Sequence, residues 1–263
     1  MEPGELAAAE REATTGAQFD REGLKRGVWE AWRASKAQLR CWALGGAASE
    51  APLARIVCFL PGTAAVASQA ASQIPFELWT RIFTWFGPAA DGGPWRVTWF
   101  ASPTVRNFPG VGQDLGPEHV NGGYTRPCSS EGIFIYRAEE VTRVLIHELL
   151  HAACLDEVGA GWTIPLREAQ IEVWAELILV ALLSRGSAAA AKRLWAAQAQ
   201  WVADTNWKAR AQHGTHDLSD YAWRYLCGRE QMYARLGIAL PAARPAAAAR
   251  MTSTRFTDPR LGR

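Results

Sequence analysis

The chain has almost no net charge, few histidines, no long apolar run and no closely spaced cysteines, and each shortage narrows what it can be. Its 28 Lys and Arg against 26 Asp and Glu leave a formal charge of +2 with no basic run, so no nucleic-acid partner is expected on electrostatic grounds. The longest apolar run, Leu177 to Leu183, is far short of a bilayer span and follows Glu172 and Glu176, so no membrane association is expected either. The start, Met-Glu-Pro-Gly-Glu, is acidic and lacks the apolar stretch of a secretory signal. The five cysteines (Cys41, Cys58, Cys128, Cys154 and Cys227) are odd in number and far apart, with no CxxC pair. Neither a cysteine-based zinc cluster nor a disulfide framework is expected, and a soluble protein of a reducing, intracellular compartment fits best.

What is present is ordinary globular composition, 49% hydrophobic and 21% charged, in a chain long enough to bury a core without staples. Thirteen tryptophans are many, and several recur at helical spacing with other apolar residues, as core positions do. The Trp195, Trp201 and Trp207 series reads as packing on the domain, with a partner surface as the alternative.

Along the chain, residues 1 to about 18 are small, polar and acidic and are expected to lack order. Leu24, Val28, Trp32 and Leu39 predict a helix from about Arg21 to Leu44, ended by Gly45-Gly46. Residues Ala54 to Leu60 predict a buried strand, followed by a helix in two parts broken near Pro75. Trp95 to Ala101 predicts a further strand, and two short ones are expected near 119–125 and 132–136. Helical patterns cover 138–154, 165–184, 188–211 and 217–236, and an Ala/Pro-rich tail is expected to be disordered. A strand-containing first half and a helical second half make an α+β fold. The expected organisation is an N-terminal helical arm over 1–49, one domain over 50–237 and the tail over 238–263. Whether the arm covers the active cleft is open.

The chemistry sits in His147-Glu148-Leu149-Leu150-His151, an H-E-x-x-H inside a helical stretch. Residues i and i+4 share a helix face, about 5–6 Å apart at Cβ, so two imidazoles can converge on one Zn²⁺. Glu148 is placed to take the proton of a zinc-bound water as it attacks a carbonyl. Flanking Val144, Leu145, Ile146, Leu149 and Leu150 make the helix a buried one, where two His and a Glu need partners. A third ligand is sought downstream, where Glu168, Glu172 and Glu176 recur every fourth residue on one face. The alternative is a solvated acidic stripe.

The arrangement resembles the gluzincins, the thermolysin-like metallopeptidases, whose second helix often reads N-E-A-x-x-D. Glu168-Ala169 followed by Glu172 matches that pattern, with Arg167 in place of the Asn and Glu172 in place of the Asp. The resemblance implies a zincin-like fold, Glu168 as third zinc ligand and Glu172 supporting a histidine. The spacing from His151 also keeps Glu172 as an alternative ligand. The stretch from His119 to Glu176 is similar as well to metallopeptidase-like proteins of large DNA viruses. It is so in Val120 to Tyr124, Ile133 to Arg137, Glu139-Glu140, the H-E-L-L-H helix and Glu168 to Ala175. Host cytoplasm or virion would then be the location.

In this class a strand beside the active helix pairs with extended substrate, and Asn121 to Tyr124 or Ile133 to Tyr136 is the candidate, an ordinary edge strand being the alternative. An oxyanion stabiliser is sought in HGTHDLSDYAWRYL, where His216 and Tyr221 are the candidates and His213 stands nearby. Cys154 reads as a packing residue, and Asp156 as a support or a helix end. The expected activity is zinc-dependent peptide hydrolysis of a peptide or protein substrate. The alternatives are a zinc-site interaction module without turnover and a zinc amidase or deamidase.

Overall fold

The run Ala54–Pro61 is apolar on both faces, as a strand covered from both sides must be, and it forms the central strand β2. The computed structural model describes residues 1–15, 20–46, 51–110, 112–156, 163–214, 217–244 and 251–253. The fold is α+β, with one five-stranded mixed sheet and helices. It divides into two compact units. The described residues of Met1–Val105 and Asn121–Cys154 form the first, and those of Arg106–Val120 and Leu155–Asp258 the second. These bounds differ from an arm to 49, a domain to 237 and a tail.

In the first unit the strands β1 (Ala37–Leu44), β2, β3 (Trp95–Phe100), β4 (Gly123–Thr125) and β5 (Ile133–Ile135) lie in the order β1-β2-β3-β5-β4. The pairs β2–β3 and β3–β5 are parallel, while the outer pairs β1–β2 and β4–β5 are antiparallel. The two-part helix appears as α3 (Ala64–Ser72) and α4 (Phe76–Phe86), interrupted before Pro75, which blocks a continuous helix there. Helix α5 (Val141–Ala152) follows β5.

Two expectations are corrected in this unit. The N-terminal residues are not without order: α1 (Pro3–Thr15) buries Ala9 and Ala13 against Val57, Phe59, Phe100 and Tyr136. The helix expected to Leu44 stops early: α2 spans Leu24–Arg33, Ser35 turns back at φ 58°, and Ala37–Leu44 pairs with the whole of β2. The apolar spacing that suggested helix survives on the strand, because Leu39 packs against the same cluster from β1. The start of α2 is held by the Asp20 carboxylate, which accepts from the N–H groups of Leu24 (2.8 Å) and Lys25 (2.7 Å).

The sheet separates α1 and α2 from α5. Phe100, Tyr124 and Tyr136 turn toward the α1–α2 cluster, whereas Gly123, the register partner of Ile135, faces Val144 and Glu148 of α5. Alternation along a strand therefore puts the N-terminal helices on the face opposite α5, and they do not cover its histidines. On the α5 side, the Trp79 indole N–H donates to Thr142 Oγ1 at 2.9 Å and ties α4 to α5. Buried Arg137 donates to the carbonyls of Asn121 (3.0 Å) and Thr104 (3.0 Å) and pairs with Glu22. It thereby joins the two points near which the chain leaves and re-enters this unit.

The absence of disulfides expected from sequence is also overturned. Cys128, in the β4–β5 turn, is bonded to Cys154, just past α5, with Cα atoms 4.6 Å apart. Cys154 is thus a cross-link rather than a packing residue, and the argument for a reducing compartment loses its premise. Cys41, Cys58 and Cys227 are free.

The second unit is helical: α6 (Ile164–Ser184), α7 (Ala188–His213), α8 (Tyr221–Trp223), a π-helical turn (Arg224–Gly228) and α9 (Arg229–Arg235). Gly228 lets α6 approach closely, since a Cβ there would lie 2.9 Å from Ala169 Cβ and 3.0 Å from Leu218 Cδ2. Trp195 packs on Tyr233 and Trp201 on the Arg229 guanidinium, while Trp207 is exposed at its surface. The tail is not without order where it is described: Arg244 donates to Asp204, and Met251 enters the cluster of Trp223 and Leu226. No helix among the described residues is long and apolar enough to cross a membrane.

Candidate metal centre

Helix α5 carries the motif because its residues from Thr142 to Ala152 are all buried, leaving no polar face to solvent. Glu140 precedes it in the left-handed region (φ 52°), and its carboxylate accepts from Arg143 at 3.0 Å. One turn apart, His147 and His151 bring their Nε2 atoms to 3.2 Å, with ring centroids 4.9 Å apart and planes at 65°. Both are 6% exposed.

That separation is a test of fit. Two ligands of a tetrahedral zinc with bonds of 2.0–2.1 Å stand about 3.3 Å apart. The imidazoles match it, and with both Nε2 atoms deprotonated the pair has the spacing to bind one cation. The His151 carbonyl accepts from the N–H of Cys128 (2.9 Å) and of Cys154 (3.1 Å), so the disulfide lies around the end of the helix that carries His151.

Glu148, 5% exposed, lies against β4: its Cγ is 3.5 Å from where a Cβ on Gly123 would stand. The two candidate strands differ in their place in the sheet. β5 is enclosed between β3 and β4, whereas β4 is the edge.

In the second unit, the three glutamates of α6 are not a solvated stripe. Glu176 is fully buried and accepts from Arg229 Nη1 (2.6 Å), from Gln198 Nε2 (3.0 Å) and from the Tyr233 hydroxyl. Burial, with the Glu176 charge beside it, pushes the Tyr233 phenol well above its ordinary range, so it remains a donor. Glu172, 4% exposed, lies 3.7 Å from Arg229. Half-buried Glu168 accepts from the Tyr225 hydroxyl through Oε2 at 3.1 Å. Tyr221 reaches Tyr225, hydroxyl to hydroxyl, at 3.2 Å. His216 lies outside the described residues.

Sequence reasoning missed Tyr225, Arg229 and Tyr233. The signal was there: Tyr221, Tyr225, Arg229 and Tyr233 recur every fourth residue, as Glu168, Glu172 and Glu176 do. A periodic row of donors facing a periodic row of acceptors is a ladder.

No family model, curated protein or solved structure matches the chain. The site's own geometry and chemistry therefore carry the functional reading.

Proposed function

We propose that the chain is a zincin-like, zinc-dependent peptidase of the gluzincin kind, with His147 and His151 as ligands through Nε2, Glu168 as third ligand and Glu148 as general base. The observation that carries this reading is the 3.2 Å approach of the two Nε2 atoms on the H-E-x-x-H helix. It is supported by the sequence pattern, in which Glu168-Ala169 followed by Glu172 matches the second-helix motif of the gluzincins. The engagement of Glu172 with Arg229 favours Glu168 over Glu172.

A zinc ion bound there would supply Lewis acidity, polarising a scissile carbonyl and lowering the pKa of water near 7. Glu148 accepts the proton of the attacking water and returns it to the leaving amine nitrogen. Its side chain lies against Gly123 on the edge strand through Cγ, so an extended peptide that adds to β4 would run near the base. Apolar walls around the motif keep bulk water from the proton transfer.

The test is metal content and turnover of the full chain. Wild type purified without chelators and offered zinc is expected to hold about one ion per chain, and His147→Ala to hold none. Glu148→Gln should keep the metal and lose hydrolysis of a quenched peptide library by at least about 100-fold. Wild type without zinc would refute the metal site. Full turnover by Glu148→Gln would refute the role of the base.

A further inference from the structure

On the sheet face opposite α5, the first unit holds a cavity of about 270 Å³ between α1 and the strands β2, β3 and β5. Alternation puts Arg55 and Val57 of β2, Arg96 and Thr98 of β3 and Phe134 of β5 on that face, where all five line the cavity. Ligand pockets run from about 300 Å³ upward, so the space suits a small molecule.

The groups in the wall select the kind of occupant. Thr98 is 8% exposed, and its hydroxyl makes no hydrogen bond among the described residues. A hydroxyl so deep without a partner calls for one from the cavity. Arg55 is fully engaged: Nε and Nη2 donate to Glu5 at 2.7 and 3.5 Å, and Nη1 pairs with Glu2 at 3.1 Å. Its register partner Arg96 donates from Nη1 to the Ser130 carbonyl at 3.2 Å, while its Nε and Nη2 have no partner among the described residues. The residue after Ser130, Glu131, also lines the cavity. Its carboxylate pairs with Arg126 at 2.8 Å and has lone pairs for a further donor. A lone anion would meet the carboxylates of Glu2, Glu5 and Glu131 in this wall, and a lone cation the guanidiniums of Arg55 and Arg96. A zwitterion with an apolar body meets complementary groups throughout.

We propose that this cavity binds a free α-amino acid with an apolar side chain. Its carboxylate takes Arg96 and the Thr98 hydroxyl, its ammonium takes Glu131, and its side chain lies against Val57 and Phe134. The sheet stands between this site and α5, so the inference is independent of the zinc reading.

The experiment is titration calorimetry of the full chain with three probes. They are L-leucine, 4-methylpentanoate (the same skeleton without the ammonium) and 3-methylbutylamine (the same skeleton without the carboxylate). Leucine is expected to bind at about millimolar or tighter, and each analogue at least about tenfold more weakly. Arg96→Gln should weaken leucine about tenfold or more, and Thr98→Val about fivefold, with the fold of each retained by circular dichroism. Should Thr98→Val not fold, Arg96→Gln, on an exposed side chain, carries the test. Leucine without binding at about 10 mM overturns the site. Leucine that binds both variants as tightly as wild type sits elsewhere on the chain and overturns it too. An analogue bound as tightly as leucine overturns the assignment to a zwitterion.

Discussion

At the scale of single residues, the proposed base depends on a residue that does no chemistry. Gly123 has no side chain, and that is what lets α5 lie on the edge strand. A Cβ there would stand 2.7 Å from Val144 Cγ1 and 2.9 Å from the Phe134 carbonyl oxygen. The valine methyl can yield, but the backbone carbonyl cannot without disturbing the β4–β5 pair. Gly123→Ala is therefore expected to lower stability by about 1–3 kcal/mol, the usual cost of overpacking. Urea unfolding of the two proteins would show it, and an unchanged midpoint would mean that α5 and β4 are not this close. The histidines were legible in the sequence because their spacing is local to one helix. Gly123 was not, because its constraint comes from residues distant along the chain.

At the scale of elements, α5 is fastened at its far end by the Cys128–Cys154 bond. The bond closes a loop with a sequence separation of 26. Loop-closure entropy puts its contribution at about 3.5 kcal/mol. A Cys128→Ser/Cys154→Ser double variant should unfold at correspondingly lower urea concentration, and reductant should bring wild type toward it while leaving the variant unmoved. Equal stability of the two proteins would show that the cross-link contributes nothing. Cysteine spacing did not reveal this pairing, since a strand turn and a helix end meet only in the fold. The same limit explains β1, read as helix from its apolar spacing until an eight-residue ladder with β2 claims it. Helices α3 to α7 were foreseen within a few residues, because strong apolar periodicity and Pro or Gly punctuation are local signals.

For the molecule as a whole, a ligand that binds the native chain and not the unfolded one must raise its stability. With free zinc at about 100 times its dissociation constant the gain is about 2.7 kcal/mol, or about 5–10 °C in melting temperature for a chain of this size. Calorimetry with and without zinc should find that shift in wild type and none in His147→Ala. A wild-type midpoint indifferent to zinc would count against the metal centre more broadly than loss of activity could.

The sequence by itself determined the α+β class, the order of most elements and the H-E-x-x-H pair, because periodicity, breakers and i,i+4 spacing act within one element. The tertiary structure alone decided that α1 and α2 belong with the sheet and lie opposite α5, that β4 is the edge, and that Cys128 meets Cys154. It also decided that Tyr225 donates to Glu168 while Arg229 pairs with Glu172 and Glu176. Each of these joins residues far apart in the chain, and such contacts are set by packing and by the need of buried polar groups for partners.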